Sequence, residues 1–409
     1  MLSGHDIVCI STQDWDDLWT RKQRFMFQLA QQDNRVLYIE QQMHLAGYVK
    51  RLRSEWRRIG RSLKGIRKMG DNLYVYTLPL VLPFFQMSTS IGDINHWLIV
   101  PVLKKQLSSL EFRDPILWLY THYSDRLVGK FGEKIVVYEL VDETLAFKGL
   151  VKSEVNQFLE KRLIRKSDVL IVTAQSLFNS RKKLIKNIYL VPNGAEVEHF
   201  RKAMSEDTHV SEEIAKIKRP IVGFLGSISY WLDIPLIRHI ALSHTEWSIV
   251  MIGPVRANVS KIAPLPNVHL LGRKDYQELP RYLKAFDVCI NPYILDGVAE
   301  GCSPLKLYEY LATGKPIVSV DMPEARKFDG LVRIARSTEE FVSHIESALQ
   351  EDKSLIIERI KESEKHSWDE RFRQVESIVE KTLFGEPQAF GKSLSKRGMG
   401  DFPHQLTDY

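Results

Sequence analysis

Cysteine is scarce in this chain. Cys9, Cys289 and Cys302 are the only ones in 409 residues, and their separations match no metal-ligand or redox spacing. A disulfide framework is therefore excluded as a source of stability, and reduced thiols in a cytoplasmic protein are expected. Long apolar runs are also missing. None reaches the ~18–20 residues that cross a bilayer, so an integral membrane protein is not expected. The first residues, MLSGHDIVCIS, place no basic region ahead of an apolar core, and no signal peptide is expected. No internal repeat is visible beyond a recurring strand–helix rhythm. Net charge is a modest +6, too small to mark a global affinity for polyanions.

What remains is an ordinary globular composition, 44% hydrophobic and 26% charged, long enough for two cores. Short apolar runs bounded by polar or turn residues read as strands at Asp6–Ser11, Arg35–Glu40, Ile116–Tyr120, Ile135–Leu140, Val169–Thr173 and Ile188–Val191. Helical stretches lie between them, and this order predicts a parallel sheet with right-handed crossovers. After the turn Pro192-Asn193-Gly194, the polar segment Arg201–Lys218 reads as a hinge. A second strand series follows at Pro220–Leu225, Trp247–Ile252, Val268–Leu271, Val288–Asn291, Ile317–Val320 and Leu331–Ile334. The expected fold class is α/β, with two doubly wound Rossmann-like domains and a ligand cleft at the carboxyl ends of their strands. A last helical stretch, Lys353–Leu383, carries a break at His366-Ser367-Trp368.

The stretch 300–320, EGCSPLKLYEYLATGKPIVSV, reads as loop, short helix, stop and buried strand. Ser303 suits the N-cap and Pro304 the first helical position. Gly314 and Pro316 end the helix. Leu307, Tyr308, Leu311 and Ala312 share one side, and Lys306, Glu309 and Thr313 the other. A lysine in a first turn opposes the helix dipole unless an anion is near. A bound phosphate is one such partner, and Glu309 one turn on suits sugar hydroxyls. A solvated polar face is the other reading of the same pattern.

Charge is concentrated at Lys50–Lys68, which holds nine Lys or Arg against the single acid Glu55. Leu52, Trp56, Ile59, Leu63 and Ile66 recur at helical spacing there. A basic amphipathic helix of this kind suits an anionic membrane surface; packing on the first domain is the alternative, and no nucleic-acid motif accompanies it. The apolar stretch 78–87, LPLVLPFFQM, follows as a dipping loop or acceptor floor.

Taken together, TQDWDDLWTRKQR, VVYELVDE, LVPNGAEVEHF, VGFLGSIS, HLLGRKDYQELPRYLKAFDVCINPY and PLKLYEYLATGKPIVS occur in order across residues 6–384. In these stretches the chain resembles the retaining nucleotide-sugar glycosyltransferases of the GT-B fold (glycosyl transferases group 1, family 4-like), and is similar in look to teichuronic acid biosynthesis glycosyltransferases. The resemblance implies transfer of a sugar from a UDP- or GDP-sugar to a cell-surface polysaccharide or lipid-linked glycan, with no cofactor or metal required. It implies that Glu309 binds the ribose, that Gly226, Ser227 and Ile228 offer N–H groups to the diphosphate, and that Leu271, Gly272 and Arg273 flank the base. Ser303, Pro304, Leu305 and Lys306 complete the donor side, with Lys306 as the candidate for diphosphate charge, helped by Arg273 or Lys274. The family's first glutamate has no counterpart, since Gly301 stands at its position with Glu300 one residue off. Ser227 stands where the family's arginine would be.

On the acceptor side, His122 follows a strand and is read either as lining the cleft or as packed. Asp142 or Glu143, at the end of VVYELV, is a candidate to orient the acceptor or act as base. Asp14, Trp15 and Arg21 complete that side, Arg21 and Lys22 near the start of the first helix are candidates to reach a phosphate, and Asp14-Trp15-Asp16 is read as a loop or helix-start feature rather than a metal site. The expected domains are 1–198 on the acceptor side, including 50–68; 199–366 for the nucleotide sugar; a helix 367–384 packing back on the first domain; and a loose tail, 385–409. The expected protein is cytoplasmic, peripheral on the inner membrane face through 50–68, with no nucleic-acid partner. A non-catalytic sugar-nucleotide-binding scaffold and a GT-B epimerase or phosphorylase are the competing readings.

Overall fold

The computed structural model describes residues 1–17, 19–42, 52–82, 88–141, 153–296 and 301–385. Its described residues divide into two compact units, one formed by Met1–Val191 with residues 372–385, the other by Pro192–Arg371. The division falls earlier than 198/199 because Pro192–Ala195 is tied into the second unit. The Ala195 N–H donates to the His366 carbonyl at 3.0 Å, and the Trp368 N–H donates back to the Ala195 carbonyl at 3.1 Å.

The first unit is an eight-stranded sheet in the order β3-β4-β2-β1-β5-β6-β7-β8. Its strands are β1 (Asp6–Ile10), β2 (Arg35–Ile39), β3 (Arg67–Lys68), β4 (Leu73–Tyr76), β5 (Ile116–Leu119), β6 (Ile135–Leu140), β7 (Val169–Val172) and β8 (Ile188–Leu190). Only the β3–β4 pair is antiparallel. Ile7 of β1 sits opposite Val36 of β2 and Ile116 of β5. These apolar runs are buried on both faces, as crossover helices require. The longer helices are α1 (Arg21–Gln31), α2 (Leu52–Lys64), α3 (Thr89–Ser109) and α4 (Ser153–Lys166). A capping box between Thr20 and Gln23 starts α1, satisfying donors the first turn leaves open. β4 and α3 were absent from the sequence expectation.

The second unit is a six-stranded parallel sheet, β11-β10-β9-β12-β13-β14. It comprises β9 (Ile221–Leu225), β10 (Ser248–Ile252), β11 (Val268–Gly272), β12 (Val288–Asn291), β13 (Ile317–Val320) and β14 (Arg333–Ala335). Its longer helices are α5 (Ile234–Ser243), α6 (Leu305–Ala312), α7 (Thr338–Leu349) and α8 (Ser354–Glu364). The helix break expected at 366–368 is present, and α9 (Trp368–Phe384) begins there. Ser367 accepts from the Glu370 N–H at 3.2 Å at this new helix start. From Phe372, α9 belongs to the first unit. There Phe372 meets Phe25 with ring centroids 5.8 Å apart, and Val375 and Val379 are fully buried.

Candidate functional site

In the second unit the strand order reverses between β9 and β12. Open parallel sheets take ligands outside the carboxyl ends of their strands at such a switch point. Two glycines shape this edge. Gly226 follows β9 with φ +150°, and Gly253 follows β10 with φ +142°, conformations that a Cβ disfavours. The Gly226 N–H donates to the Ile252 carbonyl and the Gly253 N–H to the Gly272 carbonyl, both at 2.8 Å. A Cβ on Gly253 would stand 2.0 Å from the Gly226 carbonyl oxygen, and one on Gly226 3.1 Å from Lys306 Cε. The loops therefore close on each other and on α6 because neither glycine has a side chain.

Helix α6 is pinned to the same edge. The Tyr310 hydroxyl, fully buried, accepts from the Leu225 N–H at 2.8 Å. Lys306, one turn earlier on the same side, and Glu309 are only 7% and 4% exposed, with Nζ 2.8 Å from Oε2. Burial lowers the Lys306 pKa, and the Glu309 carboxylate opposes that shift. Thr313 is buried as well, so the polar side of α6 is not the solvated face that the sequence allowed. A buried lysine–glutamate pair is stable only where geometry compensates desolvation.

Several expectations change at this edge. Ser303 is not the N-cap, since α6 starts at Leu305 with Pro304 preceding it in extended conformation and making no side-chain cap bond. Its hydroxyl instead accepts from the Asn193 N–H at 3.1 Å and lies 2.9 Å from the Tyr308 hydroxyl. Tyr308 in turn donates to Glu324 at 3.0 Å. This buried chain holds the loop ahead of α6, residues 301–304. Gly226 and Ile228 do not offer free N–H groups to a diphosphate: the first amide is spent on Ile252, and the second donates to the Pro254 carbonyl at 3.0 Å. Of the three, only Ser227 has an amide without a backbone acceptor among the described residues. Its buried Oγ also has no hydrogen-bond partner among them, although buried hydroxyls are ordinarily bonded. Leu271 and Gly272 end β11 half-buried, and Arg273 is exposed. Lys274 is taken by Glu213 at 2.6 Å and lies over the Tyr282 ring, so it does not serve as a phosphate cation. Sequence reasoning missed Gly253, although the same strand-then-glycine signal stands at Ile252-Gly253 and at Leu225-Gly226.

In the first unit the order reverses between β1 and β5. His122 occupies a single 3-10 turn after β5 and is 5% exposed. Burial lowers its pKa, with Asn156 opposing, and Nε2 has no partner among the described residues. The histidine is thus neutral, packed and at the switch point. Asp142, Glu143 and Glu300 lie outside the described residues, as do the tail from 386 and 83–87.

Other acceptor-side candidates are structural. Arg21 is 1% exposed. Its Nε bonds the fully buried Glu139, and its NH1 donates to the Val191 carbonyl at 2.9 Å, so it does not reach for phosphate. Trp118 Nε1 donates to the other Glu139 oxygen at 2.8 Å. Trp15 is buried edge-on against Trp19 and Tyr38, with both centroid distances 5.0 Å. Lys22 donates to Thr12 at 2.7 Å. Asp14 meets Arg58 at 2.6 Å and Arg61 at 3.0 Å. Burial first, then the Glu40 carboxylate, push the Asp14 pKa up to about 6 against those two arginines. Arg61 also reaches Asp16 at 2.8 Å, and Arg67 spans Asp16 at 3.0 Å and Glu40 at 2.9 Å. Three arginines of the basic segment therefore neutralise acids inside the fold instead of facing outward. The partners are remote in sequence, which is why charge counting alone does not find them.

Residues 219–351 match the family described as glycosyl transferases group 1. A Bacillus subtilis (strain 168) protein named as a teichuronic acid biosynthesis glycosyltransferase is 30% identical over 177 residues, 41% of this chain and 44% of its own length. The matched region thus spans less than half of that relative. Sucrose-phosphate synthase from Thermosynechococcus elongatus superposes with TM-score 0.69 at 13% identity, over 94% of this chain and 100% of that one. The E. coli trehalose-6-phosphate protein bound with UDP-2-fluoro glucose gives 0.66 at 11% identity, over 94% and 100%. Anabaena HepE with UDP and glucose gives 0.61 at 12%, over 92% and 99%. At such identities these likenesses speak for the fold alone. The chain carries a glycosyl transferases group 1 domain at residues 219–351, within the two-domain α/β architecture of the GT-B glycosyltransferases.

Proposed function

We propose that the chain is a glycosyltransferase that moves a sugar from a nucleoside diphosphate sugar to a polysaccharide or lipid-linked glycan at the inner membrane face, with retention and without a metal. The observation that carries this reading is the buried Lys306–Glu309 pair on the first turns of α6, packed against Gly226 at the switch point of the matched domain. Diphosphate bound beside Gly226 and Ser227 would meet the ammonium of Lys306 and the N-terminus of α6. Both stabilise the charge that grows on the leaving group as the glycosidic bond breaks. Glu309 accepts ribose hydroxyls, and Leu271, Gly272 and Arg273 flank the base. In a front-face displacement the departing phosphate can itself take the acceptor proton. His122, with Asp142 or Glu143, then orients the acceptor. The name of the Bacillus relative supports an envelope polysaccharide as acceptor.

Calorimetry with UDP, GDP and ADP tests the donor site. One diphosphate should bind selectively, and Glu309→Ala should abolish binding while circular dichroism stays that of the wild type. Failure of every nucleotide to bind would sink the proposal. Slow release of free sugar from the preferred donor separates an enzyme from a non-catalytic scaffold.

A further inference from the structure

One flank of the first unit, formed by α3 and α4, is neither a polar surface nor part of the donor site. Ile94, Trp97 and Leu98 on α3 are 48%, 76% and 46% exposed. Single exposed apolar residues are ordinary; these three share one helix face, with Pro101 exposed in the next turn. Phe158 on α4 is 51% exposed. Beside Trp97 lies a cavity of about 560 Å³ whose lining includes Lys104, Lys130, Arg162 and Lys166.

The charge in this cavity is in surplus. Arg126 is matched by Asp93 and Asp125, and Arg162 by Asp125 at 3.1 Å. No carboxylate pairs with Lys104, Lys130 or Lys166 among the described residues. Lys166 Nζ donates to the Asp125 main-chain carbonyl at 2.7 Å. Burial lowers its pKa; Asp125 opposes, and the positive charges of Arg162, Arg126 and Lys130 add to the lowering. An anion here would relieve that repulsion. The expected membrane segment 50–68 contrasts with this flank, because Arg58, Arg61 and Arg67 are already spent on Asp14, Asp16 and Glu40.

We propose that this flank docks on a bilayer carrying anionic phospholipid, with Trp97, Ile94 and Leu98 entering the interfacial layer and lipid phosphates seated against Lys104, Lys130 and Lys166. Charge complementarity selects this occupant. A second copy of the same face would oppose one cationic cluster to another, whereas an anionic leaflet answers both the apolar and the basic part. Tryptophan favours that interfacial layer because its ring is apolar and its N–H is polar. Docking concerns the first unit and does not depend on the transfer reaction.

The test is flotation of the full chain with vesicles of phosphatidylcholine alone and of phosphatidylcholine mixed with phosphatidylglycerol. Wild type should float only with the anionic vesicles, and less as salt rises. Replacing two of the exposed lysines, Lys104→Gln with Lys130→Gln, should weaken partitioning by about thirtyfold, taking roughly 1 kcal/mol per lysine at the surface. Trp97→Ser should weaken it independently, whereas Lys64→Gln with Lys68→Gln should weaken it far less. Unchanged melting curves show that the variants fold. Wild type that stays with neither vesicle, or floats as well after the Lys104/Lys130 change, overturns the proposal. So does a dimer in light scattering that Trp97→Ser dissolves in the absence of lipid binding, which would assign the face to a protein contact.

Discussion

Replacing Gly253 by alanine should damage the second unit far more than the same change at Gly272, although both residues lie at the carboxyl edge of adjacent strands. At Gly253 the new methyl carbon would stand 2.0 Å from the Gly226 carbonyl oxygen and 2.6 Å from its carbon. Both are backbone atoms, so no rotamer change relieves the clash, and the loops must part by about 1 Å. Parting them breaks the Gly226–Ile252 and Gly253–Gly272 hydrogen bonds, both 2.8 Å long, at about 1 kcal/mol each. Overpacking adds about 1–3 kcal/mol, and an L-residue forced to φ near +142° adds a similar amount. The sum is on the order of 5 kcal/mol, or roughly 10–20 °C in the melting of a unit this size. At Gly272 a Cβ meets nothing within 4 Å, and only the left-handed conformation is penalised, by about 1–2 kcal/mol. Differential scanning calorimetry of both variants, followed by titration with the preferred diphosphate, makes the comparison. Gly253→Ala should also lose diphosphate affinity, because the displaced segment carries Ser227 and contacts Lys306. Near-wild-type melting and binding for Gly253→Ala, or equal losses for the two variants, would refute the reasoning.

Two other outcomes are expected in the first unit. Glu139→Gln should cost about 3–5 kcal/mol in urea unfolding followed by tryptophan fluorescence, because it strands the buried Arg21 guanidinium; adding Arg21→Met should recover part of that loss, and a cost below about 1 kcal/mol would count against the pair. Asp14 has its folded pKa raised to about 6 from 3.8, so the folded state holds more protons than the unfolded one between those values, and stability should fall as pH rises through that window. At 1.36 kcal/mol per unit the ionisation penalty reaches about 3 kcal/mol above pH 6; Asp14→Asn should flatten the stability profile there, and an unchanged slope would disprove the assignment.

Much of this architecture was readable in advance for a physical reason. A parallel strand covered on both faces must be a short, continuous apolar run, as VVYEL at β6 and IVGFL at β9 are, and such runs stand out against polar neighbours. Helix α3 was less readable because Ile94, Trp97 and Leu98 are apolar on its outer side, which erases the two-faced contrast that marks a surface helix, and Pro101 lies within it. Strand β4 was hidden in LYVYTLPLVLP, whose prolines draw attention to the loop. In the donor site, the Lys306–Glu309 spacing was legible because both residues belong to one helix. Which amides stay free was not, since that depends on β10 lying beside β9. The basic segment shows the same limit: its periodicity was readable, whereas its acids, Asp14, Asp16 and Glu40, are brought to it only by the tertiary fold.

The way the chain enters and leaves the second unit also sets an order of assembly. Pro192–Ala195 and His366–Arg371 are bonded side by side, through Ala195, His366 and Trp368 and through Arg371 Nε on the Asn193 carbonyl at 3.1 Å. The second unit therefore begins and ends at one place, and its whole sequence has been synthesised before Phe372, Val375 and Val379 are added. Those three side chains fill the core of the first unit, and Glu376 takes the Leu2 N–H at 2.7 Å. During synthesis the unit that starts first is thus the one completed last, its core waiting on α9 while the inserted unit already has every residue it needs.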